Sequence, residues 1–183
     1  HSSPRRQRQM CIRDRQDIFN SKLSDVSPPH RIINFDTDQY FCCSNHRLFV
    51  EKNEKSYQKG FALNSTGLIG QIFRDHPNSH ELILLSDIDH NIPIYNKDFD
   101  IYCNAEGSGF ERLIICKSSK DLDKESIIGQ EFYTSGFGGV FNKDMPVGKV
   151  VSFTQDEDNE YEISIEIFAN PLKDERVFLF QSA

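Results

Sequence analysis

The sequence predicts an all-β protein of two six-stranded β-barrel-like domains, one inserted in the other. Three observations lead there. From residue 31 onward, short apolar runs rich in Ile, Val, Phe and Tyr recur at regular spacing between turn-forming residues, with almost no helical periodicity. Tyr161, Ile163, Ile165 and Ile167 alternate with Glu162, Ser164 and Glu166, the period of two that gives a strand one dry and one wet face. Finally, Gly60-Phe61-Ala62-Leu63 followed by Gly67-Leu68-Ile69-Gly70-Gln71-Ile72 matches in outline Gly129-Gln130-Glu131-Phe132 followed by Met145-Pro146-Val147-Gly148-Lys149-Val150. The chain therefore reads as two related halves.

Residues 1–15 are polar and Arg-rich, lack periodicity and have no small-residue cleavage site. They resemble a translated cloning scar, the alternative being a basic arm for an anionic surface. Gln16 to Val26 fits a short helix with Ile18, Phe19 and Leu23 on one face, stopped by Ser27-Pro28-Pro29. Residues 1–29 are thus a non-native or linker segment with room for one short helix.

Strand candidates follow at Ile32–Phe35 and Leu48–Val50, with Tyr40-Phe41 as part of another. Gly60–Leu63 and Gly67–Phe73 flank a tight turn at Asn64-Ser65-Thr66. After the turn-forming Asp75-His76-Pro77-Asn78-Ser79, the unbroken apolar run Leu82–Leu85 reads as a strand buried on both faces. Ile92–Tyr95, Phe99–Cys103 and Phe110–Cys116 come next, the last two joined at Glu106-Gly107-Ser108-Gly109. Ser118 to Ser126 is a charged loop with at most one helical turn. Val147–Phe153 and Tyr161–Phe168 bracket an acidic tip at Gln155–Asn159, and Arg176–Phe180 closes the chain.

Counting strands divides these into a first barrel of 30–76 completed by 158–183 and a second barrel of 77–157. A sequential split near residue 76 leaves the first barrel short of strands. A glycine inside a strand marks a bulge, a bend or a close backbone approach, so Gly70 and Gly148 fit barrel corners. Gly136, Gly138 and Gly139 serve a sharp turn after Thr134-Ser135.

Composition excludes several classes. The net charge is −7, and removing the five Arg and one Asp of residues 1–15 leaves 16 basic and 27 acidic groups, a body of −11. Such a body repels phosphate backbones, so nucleic-acid binding is not expected. No stretch approaches the roughly 20 apolar residues of a spanning helix. The five Cys include no C-x-x-C pair, which argues against structural zinc. Their odd number and the adjacent Cys42-Cys43 argue against a disulfide framework, although a Cys103–Cys116 bridge across a hairpin is geometrically conceivable.

Thr134-Ser135-Gly136-Phe137-Gly138-Gly139-Val140-Phe141 followed by Pro146-Val147-Gly148-Lys149-Val150 closely resembles the C-terminal signature of the rod-shape-determining MreC family. Gly67–Ile72 is similar to that family's first-barrel motif. Pro77-Asn78-Ser79 with Leu84-Leu85-Ser86-Asp87 and Ile92-Pro93-Ile94 is similar to the segment between the barrels. The resemblance spans roughly residues 31–181. It departs at Gly129-Gln130, where the family has Gly-Asp. It departs also at Asn142 and Asp144, where Pro and Gly are usual, and at 53–57, which lacks a Gly-rich turn. All three departures lie in turns.

The resemblance implies two barrels on the periplasmic or extracellular face of the cytoplasmic membrane, carried in full-length members by a coiled coil and a membrane anchor. It implies no enzymatic activity and no cofactor. The implied role is a scaffold of the cell-elongation (Rod) complex that controls cell shape by organising lateral peptidoglycan synthesis. The implied partners are MreB, MreD, a penicillin-binding transpeptidase and a wall glycosyltransferase, together with self-association into homo-oligomers.

Read for chemistry alone, Ser135 before Gly136 invites a chymotrypsin-like serine hydrolase with His90 and Asp87, since a triad needs a hydroxyl, an imidazole within reach and an orienting carboxylate. Turn formation explains the same glycines, so no catalytic residue is expected. His76, His80 and His90 read as solvated turn histidines rather than a metal cluster, because Pro77 breaks the helical face that would align them. Asp156-Glu157-Asp158 lacks the spacing of a calcium loop and fits a charged hairpin tip. With fifteen Phe and no Trp, the aromatics are the surplus. Phe137 and Phe141, carried on the glycine-rich turn, are the candidates for a partner-binding surface, against the plainer reading of core packing.

Overall fold

A computed structural model describes residues 28–182; the basic run 1–15 and the helix expected at 16–26 lie outside the described residues. In chain order the elements are β1 (His30–Phe35), α1 (Thr37–Cys42), β2 (Arg47–Glu51), β3 (Gly60–Asn64), β4 (Gly67–Asp75), β5 (Ser79–Leu84), β6 (Asn91–Asn96), β7 (Ile101–Gly107) and β8 (Leu113–Ser118). There follow α2 (Lys124–Ile127), β9 (Glu131–Thr134), a 3-10 turn (Phe137–Gly139), β10 (Pro146–Gln155), β11 (Tyr161–Ile167) and β12 (Arg176–Gln181). The strands close into two barrels, ordered β1-β12-β3-β4-β5-β2 and β10-β11-β8-β7-β6-β9. The second barrel's strands all lie between β5 and β12 in the chain.

The barrel boundaries differ from the expected ones at both cuts. β5, which a cut after residue 76 assigns to the second barrel, pairs Gly70 with Leu84 on β4 and Val50 with His80 on β2, and so belongs to the first. β11, which a cut after 157 assigns to the first barrel, pairs along its length with β10 and β8 in the second. Both misread segments are tight hairpin turns. His76 N–H donates to Ser79 O, and Asp156 Oδ1 accepts from the amides of Asp158 and Glu160. Each returns the chain to the strand beside it. The chain passes between barrels instead at 85–90, from β5 to β6, and at 168–175, from β11 to β12.

Tyr40-Phe41 is helical rather than extended, because Asp36 Oδ1 accepts from Gln39 N–H at 3.0 Å and caps α1. Tyr40 turns into the core and Phe41 faces out. The Cys103–Cys116 bridge that the sequence left conceivable is present, whereas the Cys42–Cys43 bond differs from the expectation of no disulfide framework. Cys103 and Cys116, with Cα atoms 5.9 Å apart on neighbouring β7 and β8, are bonded, and so are the adjacent Cys42 and Cys43. Cys11 lies outside the described residues.

The two halves share one strand device. On β4 the register slips before Gly70 and again between Ile72 and Arg74; on β10 it slips before Gly148 and again between Val150 and Ser152. The extra residues are Ile69 and Phe73 in one barrel and Val147 and Val151 in the other. Between each pair of bulges sits a glycine whose Cβ would lie 2.3 Å (Gly70) or 2.2 Å (Gly148) from a carbonyl oxygen of the neighbouring strand, Ile83 O or Glu166 O. Only a residue without Cβ permits that approach, and bulges sharpen the bend that closes a small barrel.

Candidate functional site

The segment from Thr134 to Met145 leaves β9 and returns as β10. Thr134 closes its base: its amide donates to Met145 O, its carbonyl accepts from Asp144 N–H, and its Oγ1 accepts from Met145 N–H at 2.9 Å and donates to Asn142 O. Ser135 N–H donates to Pro93 O on β6. Gly136, Gly138 and Gly139 have φ of 80°, 78° and 67°, a left-handed run that bends the loop over the barrel rim.

That bend separates the two candidate phenylalanines. Phe141 is 4% exposed, with its ring centroid 6.0 Å from both Phe61 and His90. It therefore plugs the contact between barrels, which corrects its assignment to a free docking surface. Lys59 Nζ donating to Gly138 O and Ser182 Oγ donating to Val140 O hold the same side of the turn to the first barrel. Phe137 faces the other way and is 65% exposed.

Phe137 does not stand alone. Tyr95 on β6 pairs in register with Tyr133 on β9 and with Tyr102 on β7, so three tyrosines form one row across the outer face of the second barrel. Tyr95 and Tyr102 stack at 5.5 Å, Tyr133 lies 6.4 Å from Tyr95, and Phe137 lies 6.2 Å from Tyr102. Two hydroxyls are tied down: Tyr95 donates to Asp144, and Tyr133 donates to Glu131 Oε2 at 2.8 Å. The Asp144 carboxylate accepting that hydrogen bond pushes the Tyr95 hydroxyl up to about 12, so it stays protonated. Lys143 Nζ sits 5.7 Å from the Tyr95 ring. The result is a fixed, partly exposed aromatic ridge with charge of both signs at its edge.

The junction between the barrels, around Asp87 and His90, is polar and largely buried. Asp87, fully buried, accepts from His46 N–H (2.7 Å), Arg47 Nε (2.8 Å) and Asp89 N–H (2.8 Å). Arg47 also pairs with Glu81 at 3.3 Å and lies over the Phe73 ring. His90 is buried with Nε2 3.1 Å from Gln71 Oε1, and burial lowers its pKa to about 4. His80 is likewise buried and its pKa lowered, chiefly by desolvation. The expectation of solvated turn histidines is thus corrected for both: one is an inward residue of β5, the other fills the inter-barrel contact. His76 alone of the three is open, with Nε2 3.0 Å from Glu81. Ser135 Oγ accepts from Phe137 N–H, and Ser135 and His90 share no hydrogen bond among the described residues.

Known proteins share this chain's sequence family and fold. A sequence profile described as "Rod shape-determining protein MreC, barrel core" matches residues 50–181. The chain belongs to the MreC family. The match takes in the glycine-rich turn and the tyrosine row and leaves out β1 and α1. The chain is 31% identical over 160 residues to the cell shape-determining protein MreC of Haemophilus influenzae, covering 85% of this chain and 43% of that protein. It therefore spans about two fifths of that relative's length. Two solved structures share the fold. One is the major periplasmic domain of the cell shape-determining filament MreC (19% identity, TM-score 0.65, covering 85% of this chain and 95% of that one). The other is the complex between penicillin-binding protein PBP2 and MreC from Helicobacter pylori (15% identity, TM-score 0.61, covering 82% and 94%).

Sequence reasoning about this MreC barrel core missed the tyrosines, having weighed only phenylalanines as surplus. The signal was present in Ile92-Pro93-Ile94-Tyr95, where alternation turns Tyr95 away from the buried Ile92 and Ile94. It missed the Asp87–Arg47 network because the two residues are forty positions apart.

Proposed function

We propose that this chain is the docking part of a non-enzymatic scaffold of the bacterial cell-elongation machinery, acting on the outer face of the cytoplasmic membrane. In the full-length protein an N-terminal anchor holds it there. It organises lateral peptidoglycan synthesis by binding a penicillin-binding transpeptidase and its glycosyltransferase, connects them with MreB and MreD, and self-associates. The observation that carries this reading is the Phe137–Tyr102–Tyr95–Tyr133 ridge, a rigid aromatic surface of the kind enriched at protein interfaces. Membership of a cell-shape family supports it, as does a structural neighbour solved in complex with a penicillin-binding protein. Among the described residues no helix is long and apolar enough to cross a membrane.

The test is a titration of the full-length protein against the penicillin-binding transpeptidase of the same organism. Phe137→Ser is expected to weaken binding by about tenfold or more, the scale of an interface anchor. Unchanged affinity with the fold intact contradicts the assignment.

A further inference from the structure

Asp144 stands apart on the return limb of the glycine-rich turn. Its φ is 68°, in the left-handed region that glycine adopts freely and a residue with a Cβ adopts under strain. Its amide donates to Thr134 O, a contact that a glycine would keep. What a glycine would lose is the carboxylate, whose Oδ1 accepts from the Tyr95 hydroxyl on β6. Asp144 is itself exposed, so core packing does not explain the choice.

That hydrogen bond reaches the rest of the ridge through packing. Tyr95 is the middle of the tyrosine row and is 9% exposed, whereas Tyr102 beside it is 57% exposed and Phe137 65%. The Tyr102 ring lies nearly parallel to Tyr95, at 15° and 5.5 Å, and Phe137 meets the Tyr102 ring at 6.2 Å. The two open aromatics thus stand on one largely covered ring, and the carboxylate holds that ring by its hydroxyl. Lys143 closes the same limb onto the turn. A Cβ added at Gly136 would lie 3.1 Å from Lys143 Cβ, and Lys143 Nζ is 5.7 Å from the Tyr95 ring. The turn that carries Phe137 and the strand that carries Tyr95 are therefore tied together at residues 143 and 144. An exposed aromatic side chain left to turn freely must be ordered when a partner binds, at a cost in affinity that an already ordered one avoids.

We infer that Asp144 is a positioning residue of the docking ridge: by holding the Tyr95 hydroxyl it keeps Tyr102 and Phe137 in the arrangement a partner meets, and it acts through Tyr95 rather than through its own charge. The inference rests on the reading of the ridge as the surface that binds the transpeptidase. It explains why a strained backbone position carries a carboxylate: no shorter or apolar side chain at 144 would accept from Tyr95.

The test titrates the full-length protein and its variants against the penicillin-binding transpeptidase of the same organism. Asp144→Gly keeps the turn's backbone and removes the carboxylate; Tyr95→Phe keeps the ring and removes the hydroxyl. Each is expected to weaken binding about fivefold or more, the scale of freeing two aromatic side chains. The double variant should lose no more than either single one, because both break the same bond. Asp144→Asn retains an acceptor oxygen, tolerates the left-handed backbone and should restore affinity to within about twofold of the parent. Asn159→Gly makes the same kind of change at another left-handed position (φ 59°), on the β10–β11 tip at the far end of β10, and should leave binding within about twofold. The variants are expected to melt within about 2 °C of the parent. Where Asp144→Gly melts lower, Tyr95→Phe and Asp144→Asn carry the comparison. Additive losses in the double variant, or an Asp144→Asn as weak as Asp144→Gly, overturn the proposal in favour of direct contact between the Asp144 charge and the partner. Unchanged binding in Asp144→Gly and Tyr95→Phe while Phe137→Ser weakens it disproves the positioning role and leaves the ridge standing. Unchanged binding in all three disproves the ridge as well.

Discussion

The two barrels are one design used twice, and they differ in what covers the outside. Aligned on Gly70 and Gly148, β1 to β5 correspond to β7 to β11, and β12 takes the place of β6. The first barrel is therefore a circular permutation of the second, its last-made strand filling the position with which the second begins. By that alignment Phe61 and Phe180, stacked at 5.1 Å on the outside of the first barrel, correspond to Glu131 and Lys97 in the second. The first pair is covered by Phe141; the second pair is charged and lies beside open tyrosines. β3 is accordingly buried at every position, whereas β9 alternates. The outward residues, rather than the shared bulges, record which barrel face Phe141 covers and which is left exposed.

Breaking the covered side should cost most. Phe141→Ala removes the plug between barrels and is expected to destabilise by about 3–5 kcal/mol in a denaturant titration. Next come the shared corners. Gly70→Ala and Gly148→Ala each push a methyl into a carbonyl, and each should cost about 3 kcal/mol or more. Similar losses in both support equivalence of the barrels; a tolerated alanine in one of them breaks it.

The buried junction adds a pH dependence on the covered side. His90 has its folded pKa lowered to about 4, so the fold favours the neutral imidazole. Its contribution is complete above pH 6.5 and is lost as pH falls from 6.5 toward 4, because the unfolded chain then binds a proton the folded one refuses. At about 1.4 kcal/mol per pKa unit the loss approaches 3 kcal/mol. His90→Gln should flatten most of the fall in melting midpoint across that range, with buried His80 supplying the remainder. An unchanged slope removes His90 from the account. The smallest effect belongs to the open side: Phe137→Ala should change stability by under about 0.5 kcal/mol.

The fold was largely legible in the sequence because its signals are local. The alternation of β11, the apolar run of β5 and the repeated glycine outline each lie within a few residues. The barrel boundaries were not, because a hairpin turn and an inter-domain linker share a composition: Asp75–Ser79 and Leu85–His90 are both polar-bearing breaks, and only pairing tells them apart. The site was half legible. The glycine-rich turn announced itself, yet whether Phe137 or Phe141 faces solvent depends on φ values at Gly136 and Gly138 and on a first barrel whose contact residues lie eighty positions away.

The most direct measurement is cell shape itself. Replacing the full-length protein in its own cells by Phe137→Ser with Tyr102→Ser, at unchanged protein level and melting midpoint, is predicted to turn rods into spheres, the ridge having lost its anchors. Rods of normal width in those cells would contradict the claim that this open barrel face is where the protein works.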